Sequence, residues 1–534
     1  MLSKTNYKRF INCEASLWYQ RNNYQDLIQP DLLTQDSFDQ GRDFENLAQI
    51  KISSGLKEKE VFMIEGFKPF EYKEMEDATD VAINNPEIKM IFEASFSNKY
   101  SAFSMIDCLE VEEVGDDYHF SITEIKNSSS VKSGHILDIS FQVWVLRELG
   151  NIVNTIKIAH RNSNFIRKSR HDDVNVMAEE LITIVDVTDK VNNYISKNKK
   201  VFIENTQRAE NVKKGSPLPT KKISNNCKTC PARELCIESF KDPSVFNLIS
   251  RSWRTKNSLL EKNIISLDDL YNKYGEGLTG LKINEDEKFV ISNHRNKTDY
   301  INKEKVKEHL VSLEFPIYAF DFETVNSAVP IFEESRPNQQ IPFEASIHKL
   351  HENGKLEHFL YLQEEKTDPR SAMIEFLTRS IDGDTGSVVV FNSPFEIGVL
   401  KELVIYDISF KEKAQNIISR VWDLQDIYKG RAIYIRDFLS GWSLKKITKS
   451  CLSENFYEKE AVSDGVEAFV GYRRFLNNLM NDNETAAFMK GLKRYNAIDT
   501  MIPLIIIKEL FKIIDLKSES FKNISEDNIN NMEN

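Results

Sequence analysis

Long apolar runs are missing. No window approaches the ~18 apolar residues that a membrane span needs, the longest stretches being short ones such as Val388–Phe391 and Ile502–Ile507. This argues against a transmembrane protein. Met1–Gln20 also lacks the apolar centre of a secretory signal, because Lys4, Lys8, Arg9 and Glu14 interrupt it, so a cytoplasmic location is expected. Cysteine is scarce, six in 534 residues, which excludes a disulfide framework and makes any close cysteine spacing a metal or cluster signal. Positive charge is not in excess. A net charge of −12 argues against a chain that clings to nucleic acid through a coat of Lys and Arg.

What remains is an ordinary folded composition, 41% hydrophobic and 28% charged, long enough for several structural units. Local basic runs interrupt the acidic average, at Lys157–Arg170 and Lys197–Lys222. They can track phosphates, although a solvated face is the plainer reading of each. Residues 1 to about 240 read as helices, a β-rich middle and helices again. A charged helical connector follows over 241–312. Strands then alternate with helices over 313–516, the pattern of an α/β domain. Residues 517–534 are polar and without an apolar face, which predicts a disordered tail.

Three patterns carry chemistry. First, Cys227, Cys230 and Cys236 form C-x2-C-x5-C, three thiolates on a tight loop and one short of a closed four-coordinate site. Cys108 and Cys451 sit among apolar neighbours, where a free cysteine is a small buried hydrophobe. Second, a strand from Tyr100 ends in Asp107, and Glu124 and Lys126 share one face of the next strand because side chains alternate. Asp107 and Glu124 can hold a divalent cation while Lys126 orients water or offsets charge on phosphate. A helix follows from His135, with Gln142 beside its apolar stripe. Third, the apolar strand Phe315–Phe320 runs into Asp321 and Glu323, two carboxylates on one side, a costly pair unless a cation lies between them. The short strand Ser387–Phe391 leads to Glu396, and Tyr495 and Asp499 share a helix face at i and i+4. Four acids from three segments can hold two cations for in-line phosphoryl displacement, with Tyr495 orienting the attacking water.

The order Asp107, Glu124-x-Lys126, Gln142 resembles the PD-(D/E)XK nuclease superfamily, particularly its RecB-like branch. That branch includes the AddB subunit and the CRISPR spacer-acquisition nucleases, several of which hold a four-iron, four-sulfur cluster with one cysteine before the core and three after it. The resemblance implies a [4Fe-4S] cluster on Cys13, Cys227, Cys230 and Cys236, with structural zinc as the alternative. It also implies Glu45 as a metal ligand where the branch usually has a His; Glu93 is a weaker candidate. Asp321, Glu323, Glu396, Asp499 and Tyr495 resemble the tyrosine subclass of DEDD exonucleases, most of which carry Asp where Glu396 stands.

The chain also resembles an uncharacterised bacterial family that joins both modules, through Asp321-Phe322-Glu323-Thr324, Arg336–Phe343, Asn392-x-x-Phe395-Glu396, Ser443–Lys446 and Tyr495-x-x-x-Asp499-Thr500. Glu is usual there at the position of Glu396. The expectations are therefore a PD-(D/E)XK restriction-endonuclease-like fold over 1–240 and an RNase H-like fold over 313–516. The implied activity is an Mg2+- or Mn2+-dependent nuclease acting on DNA or RNA in repair or defence. The rival is a nucleic-acid-binding scaffold without turnover.

Overall fold

The computed structural model describes the chain except for residues 23–30, 69, 116, 223, 225, 228–229, 238–242, 246–252, 276–277, 279, 281–283, 437–441, 453–455, 458–460, 517 and 531–534. It is a mixed α/β protein in two units, Met1–Ser239 with Ser327–Asn338, and Phe240–Asn326 with Gln339–Asn534. Among the described residues no helix is long and apolar enough to cross a membrane.

The first unit is built on seven strands, β1 (Leu2–Ser3), β2 (Val61–Met63), β3 (Met90–Ser97), β4 (Ala102–Val114), β5 (Asp117–Lys126), β6 (Ile152–Arg161) and β7 (Ile182–Asp186). Their order is β2-β3-β4-β5-β6-β7, with β1 paired to β4. β3, β4 and β5 form an antiparallel meander, and β6 joins β5 in parallel. A parallel neighbour needs a crossover of a dozen or more residues, which helix Ser133–Glu148 supplies. That helix is buried continuously from Asp138 to Leu146 rather than along one stripe. It packs on the sheet and on helix Thr188–Glu210, where Trp144 stacks on Phe202 with centroids 5.3 Å apart. A helix covered on two sides must be apolar nearly all round.

Asp107 lies inside β4 and not at its end, because β5 pairs with β4 from Cys108 to Val114 and extends the strand. Within the basic run Lys157–Arg170, Lys157 meets Glu110 at 3.2 Å, Arg167 meets Asp172 at 2.8 Å and Arg170 meets Glu180 at 2.8 Å, whereas Arg161 is buried with its Nε and Nη1 unpartnered. Segment Ser327–Asn338 packs within this first unit, with Arg167 Nη1 donating to the Pro330 carbonyl at 2.9 Å and the Ala328 amide donating to Gln40 Oε1 at 2.9 Å. The run Arg336–Phe343 is thus divided between the units.

The second unit contains β8 (Tyr300–Ile301), β9 (Ile317–Val325), β10 (Ile341–Leu350), β11 (Leu356–Leu362), β12 (Val388–Val390), β13 (Val421–Asp423) and β14 (Ile433–Tyr434). Five of these form a sheet in the order β11-β10-β9-β12-β13; β8 pairs with β14. β10 is antiparallel to β9 and β11, whereas β12 is parallel to β9 and β13. Tyr318, Phe320 and Phe322 pack with Met373, Leu377 and Leu400, from helices Arg370–Ser380 and Ser393–Tyr406. Alternation turns Asp321 and Glu323 to the opposite face, which helix Asp482–Ile513 covers.

The expected connector is folded into this unit: Leu259, Leu267, Leu270 and Ile291 share a small core. The expected disordered tail is also packed where it is described. Short helices span Glu519–Phe521 and Glu526–Asn530, and Phe521, Ile524 and Ile529 are buried. Phe521 meets Phe511 at 5.5 Å between centroids. Three apolar residues suffice because they dock on an existing surface.

Candidate functional site

In the first unit, helix Leu32–Ile52, β3, β4 and β5 bring Glu45, Glu93, Asp107 and Lys126 to the wall of one cleft of about 450 Å³. Glu124 lies beside them with its side chain wholly buried. Its Oε1 accepts from Lys4 at 2.6 Å and also from Lys126, while Oε2 has no hydrogen-bond partner. Burial would raise this carboxyl, but the ammonium groups of Lys126 and Lys4 outweigh burial and hold it at about 2. Asp107 accepts from the Ile125 amide at 2.7 Å. Burial and the neighbouring Glu124 charge push it up to about 7. Glu93 is pushed up to about 8 by burial, then by Asp107 and Glu45. Its φ of 61° within β3 is a left-handed conformation that non-glycine residues rarely adopt.

Lys4 was not legible as a site residue. β1 pairs with Ala102 and Phe103 of β4, the strand whose later residues pair with β5, and this carries Lys4 to Glu124. Gln142, the last residue of the order expected for a catalytic site, is fully buried and donates to the Met105 carbonyl at 2.9 Å. Cys13, Cys227, Cys230 and Cys236 stand within electrostatic reach of one another. The Cys236 thiol is pushed up to about 11 by burial first and by the other three thiols. Among the described residues, no three of these sulfurs come within the 4.8 Å that groups the acids of the second unit. Cys108 is buried; the side chain of Cys451 lies outside the described residues.

In the second unit, one ligand atom each from Asp321, Glu323 and Asp499 lies within 4.8 Å of the others. Asp321 and Glu323 are both raised well above ordinary carboxyls by burial, Asp321 next by Asp499 and Glu396, and Glu323 next by Asp321 and Asp499. β12 lies beside β9, pairing Val388 with Tyr318. Asn392 then turns the chain through φ 79° into helix Ser393–Tyr406. Asp423 fixes that turn by accepting from the Asn392, Ser393 and Gln425 amides at 3.0, 2.9 and 2.9 Å. Glu396, in the first turn of the helix, is buried; its Oε2 is unpartnered and burial raises it to about 8.

Three further groups belong to this site. Tyr457 donates to Asp499 Oδ1. Lys445 Nζ stands 5.1 Å from the centre of the Tyr457 ring and 5.9 Å from that of Tyr495. Glu344, opposite Glu323 on β10, is fully buried; Asn496 sits beside it, yet neither carboxylate oxygen has a hydrogen bond of ordinary geometry. Burial, then the charge of Asp499, raises the Tyr495 and Tyr457 hydroxyls well above the usual phenol range, so both remain neutral donors. The period-2 polar residues Glu344, Ser346 and His348 in an apolar strand were the signal for Glu344. Nothing local marks Tyr457.

Residues 318–443 match a family described as "Domain of unknown function (DUF2779)". The chain is 28% identical over 262 residues to Uncharacterized protein MG366 of Mycoplasma genitalium, covering 44% of this chain and 36% of that protein. It is 28% identical over 206 residues to the MG366 homolog of Mycoplasma pneumoniae, covering 35% of this chain and 31% of that protein. The chain therefore spans about a third of the length of these relatives.

Proposed function

We propose that the chain is a metal-dependent nuclease with two hydrolytic phosphodiesterase sites, acting on DNA or RNA. The observation that carries this reading is the convergence of Asp321, Glu323 and Asp499 within 4.8 Å, with Glu396 close enough to raise Asp321. Acids so close together, Glu323 buried and Asp321 and Asp499 half-buried, suit divalent cations. Bound Mg2+ or Mn2+ would polarise the phosphodiester and make water a nucleophile at neutral pH. The four acids would hold the cations, and neutral Tyr495 would orient water by hydrogen bonding. The strand order β11-β10-β9-β12-β13, with β10 antiparallel and β12 and β13 parallel, supports an RNase H-like reading and a 3′ to 5′ exonuclease of the DEDD kind.

For the first unit, a helix, a three-stranded meander, a crossover helix and a parallel strand support a PD-(D/E)XK reading. Glu45, Glu93, Asp107 and Glu124 would hold the cation, and Lys126 would offset charge on the phosphate. An iron–sulfur cluster on Cys13, Cys227, Cys230 and Cys236 is supported by the one-plus-three order of these cysteines around the core in the sequence. One observation favours the scaffold reading for this unit: Glu124 Oε1 is already engaged by two ammonium groups.

The test is cleavage of end-labelled single- and double-stranded DNA and RNA with Mg2+ or Mn2+. Lys126→Ala should remove one product pattern and Asp321→Asn or Glu396→Gln the other, each by more than ~100-fold in turnover with binding retained. Full activity in both Asp321→Asn and Glu396→Gln, or no cleavage by the unaltered chain with either metal, would overturn the reading.

A further inference from the structure

Helix Leu32–Ile52 turns one face to the cleft of the first unit. Phe38, Gly41, Arg42 and Glu45, spaced i, i+3, i+4 and i+7, all line it. At 1.5 Å of rise per residue, Phe38 and Glu45 stand about 10 Å apart along the helix axis. The face changes character over that length. Glu45 is half-buried and within electrostatic reach of Glu124 and Lys126, whereas Phe38, at the outer end, is 54% exposed. The helix is anchored elsewhere, through Phe44, Leu47 and Ala48, which are buried in a core with Ile125 and Ala159.

A single exposed phenylalanine needs no explanation; its place in this cleft does. Among the described residues the Phe38 ring meets no other ring and no cation. A Cβ built on Gly41, one turn further in, meets nothing within 4 Å among the described residues. A flat aromatic ring therefore borders open space on the wall of a cleft that also carries Glu45, Glu93, Asp107 and Lys126. Every base has a π face that stacks on such a ring whatever the sequence. Inside a duplex those faces are covered by neighbouring bases, so the ring can reach one only where the strand is single.

We propose that Phe38 stacks on a base of single-stranded nucleic acid, lodged in the space beside Gly41, and that the first unit takes its substrate as a single strand. The inference rests on the phosphodiesterase reading of this cleft and adds its substrate class and the residue that sets it. The contact uses no charge; Arg42, the cation beside it on the helix, is paired with Asp39.

The test uses the full chain and single-stranded oligonucleotides carrying 2-aminopurine at successive positions, titrated in EDTA so that no turnover occurs and the fluorescence of that base reports stacking. One position should be quenched by the parent chain. That quenching should be lost in Phe38→Ala and Phe38→Leu and kept in Phe38→Tyr and Phe38→Trp; the side chain is exposed, so folding is not at risk. With Mg2+ or Mn2+, the product pattern that Lys126→Ala removes should show KM raised about 10-fold in Phe38→Ala and kcat lowered far less. The salt dependence of that KM should stay as in the parent, because no phosphate contact has been removed. An abasic site at the quenched position should cost the parent as much and cost Phe38→Ala nothing further. Unchanged quenching and KM in Phe38→Ala, with the Lys126-dependent pattern intact, overturn the proposal and leave the nuclease reading in place. A Phe38→Leu variant indistinguishable from the parent, or a Lys126-dependent pattern given by blunt duplex and not by single strands, does the same. A chain that cleaves nothing, yet loses the quenching in Phe38→Ala, binds single strands as proposed and overturns the nuclease reading alone; one that neither cleaves nor quenches overturns both.

Discussion

Removing divalent cations should destabilise the second unit, and the size of the effect follows from its acids. The ligand atoms of Asp321, Glu323 and Asp499 lie within 4.8 Å of one another. Two unit charges at that distance repel by about 3.5 kcal/mol at an effective dielectric constant of ~20. Three ionised acids would thus oppose folding by roughly 10 kcal/mol, comparable with the whole stability of a domain. The stripped protein avoids this by retaining protons: burial and mutual repulsion raise Asp321 and Glu323 well above ordinary carboxyls, and burial raises Glu396 to about 8. Acids raised in the folded state contribute stability below their unfolded pKa and lose it as pH rises through the folded value. The EDTA-treated chain should therefore melt at progressively lower temperature between about pH 5 and pH 8. Mn2+ at 100 times its Kd adds about 2.7 kcal/mol, a rise of roughly 5–10 °C in the transition of this unit. Asp321→Asn removes one charge, so it should flatten the pH dependence without metal and abolish most of the Mn2+ response. Calorimetry across pH, with and without Mn2+, measures both. A stripped chain that gains stability from pH 5 to 8, or an Asp321→Asn variant that keeps the full Mn2+ shift, would refute the reasoning.

In the first unit the sign is opposite for Glu124, whose carboxyl is depressed to about 2, so its stabilisation is present above ~4.5 and lost as pH falls toward 2. Lys4→Met should cost roughly 2–3 kcal/mol at pH 7, and the difference from the parent should shrink at pH 3; urea denaturation at both pH values tests this. Cys13→Ser should bleach the visible absorbance of anaerobically purified protein and lower its iron content, whereas Cys108→Ser should not; a colourless parent with stoichiometric zinc would point to the structural-zinc alternative.

The parts of both sites that could be read from sequence are those fixed by local periodicity. Asp321 and Glu323 share a strand face at spacing two, as do Glu124 and Lys126, and Tyr495 and Asp499 share a helix face at spacing four. These relations hold wherever the element is placed. Lys4, Tyr457 and Glu344 reach their sites through tertiary pairing alone, Lys4 by a two-residue strand on β4 and Glu344 by its register against Glu323. Gln142 shows the converse. Its position in the helix predicts that it points inward, but not that the Met105 carbonyl will take its amide.

The two acidic sites differ in how their charge is balanced, which determines what each requires of a cation. In the first unit Lys4 and Lys126 both bind Glu124, and Lys8 meets the adjacent Asp138 at 2.9 Å. Much of the negative charge is thus neutralised by the protein itself. The second unit gathers Asp321, Glu323, Glu344, Glu396 and Asp499. Of its nearby cations, Lys445 lies against tyrosine rings and donates to the Ser463 carbonyl, while Lys493 is paired with Glu364. Neither forms a direct ion pair with these acids among the described residues. A buried acid without a cation must keep its proton or acquire a metal. On the metal-dependent reading proposed above, the second site is the one whose folding and chemistry would depend on divalent cations together, whereas the first can remain folded with its lysines on Glu124 Oε1 and would offer a metal the unpartnered Oε2 of the same carboxylate.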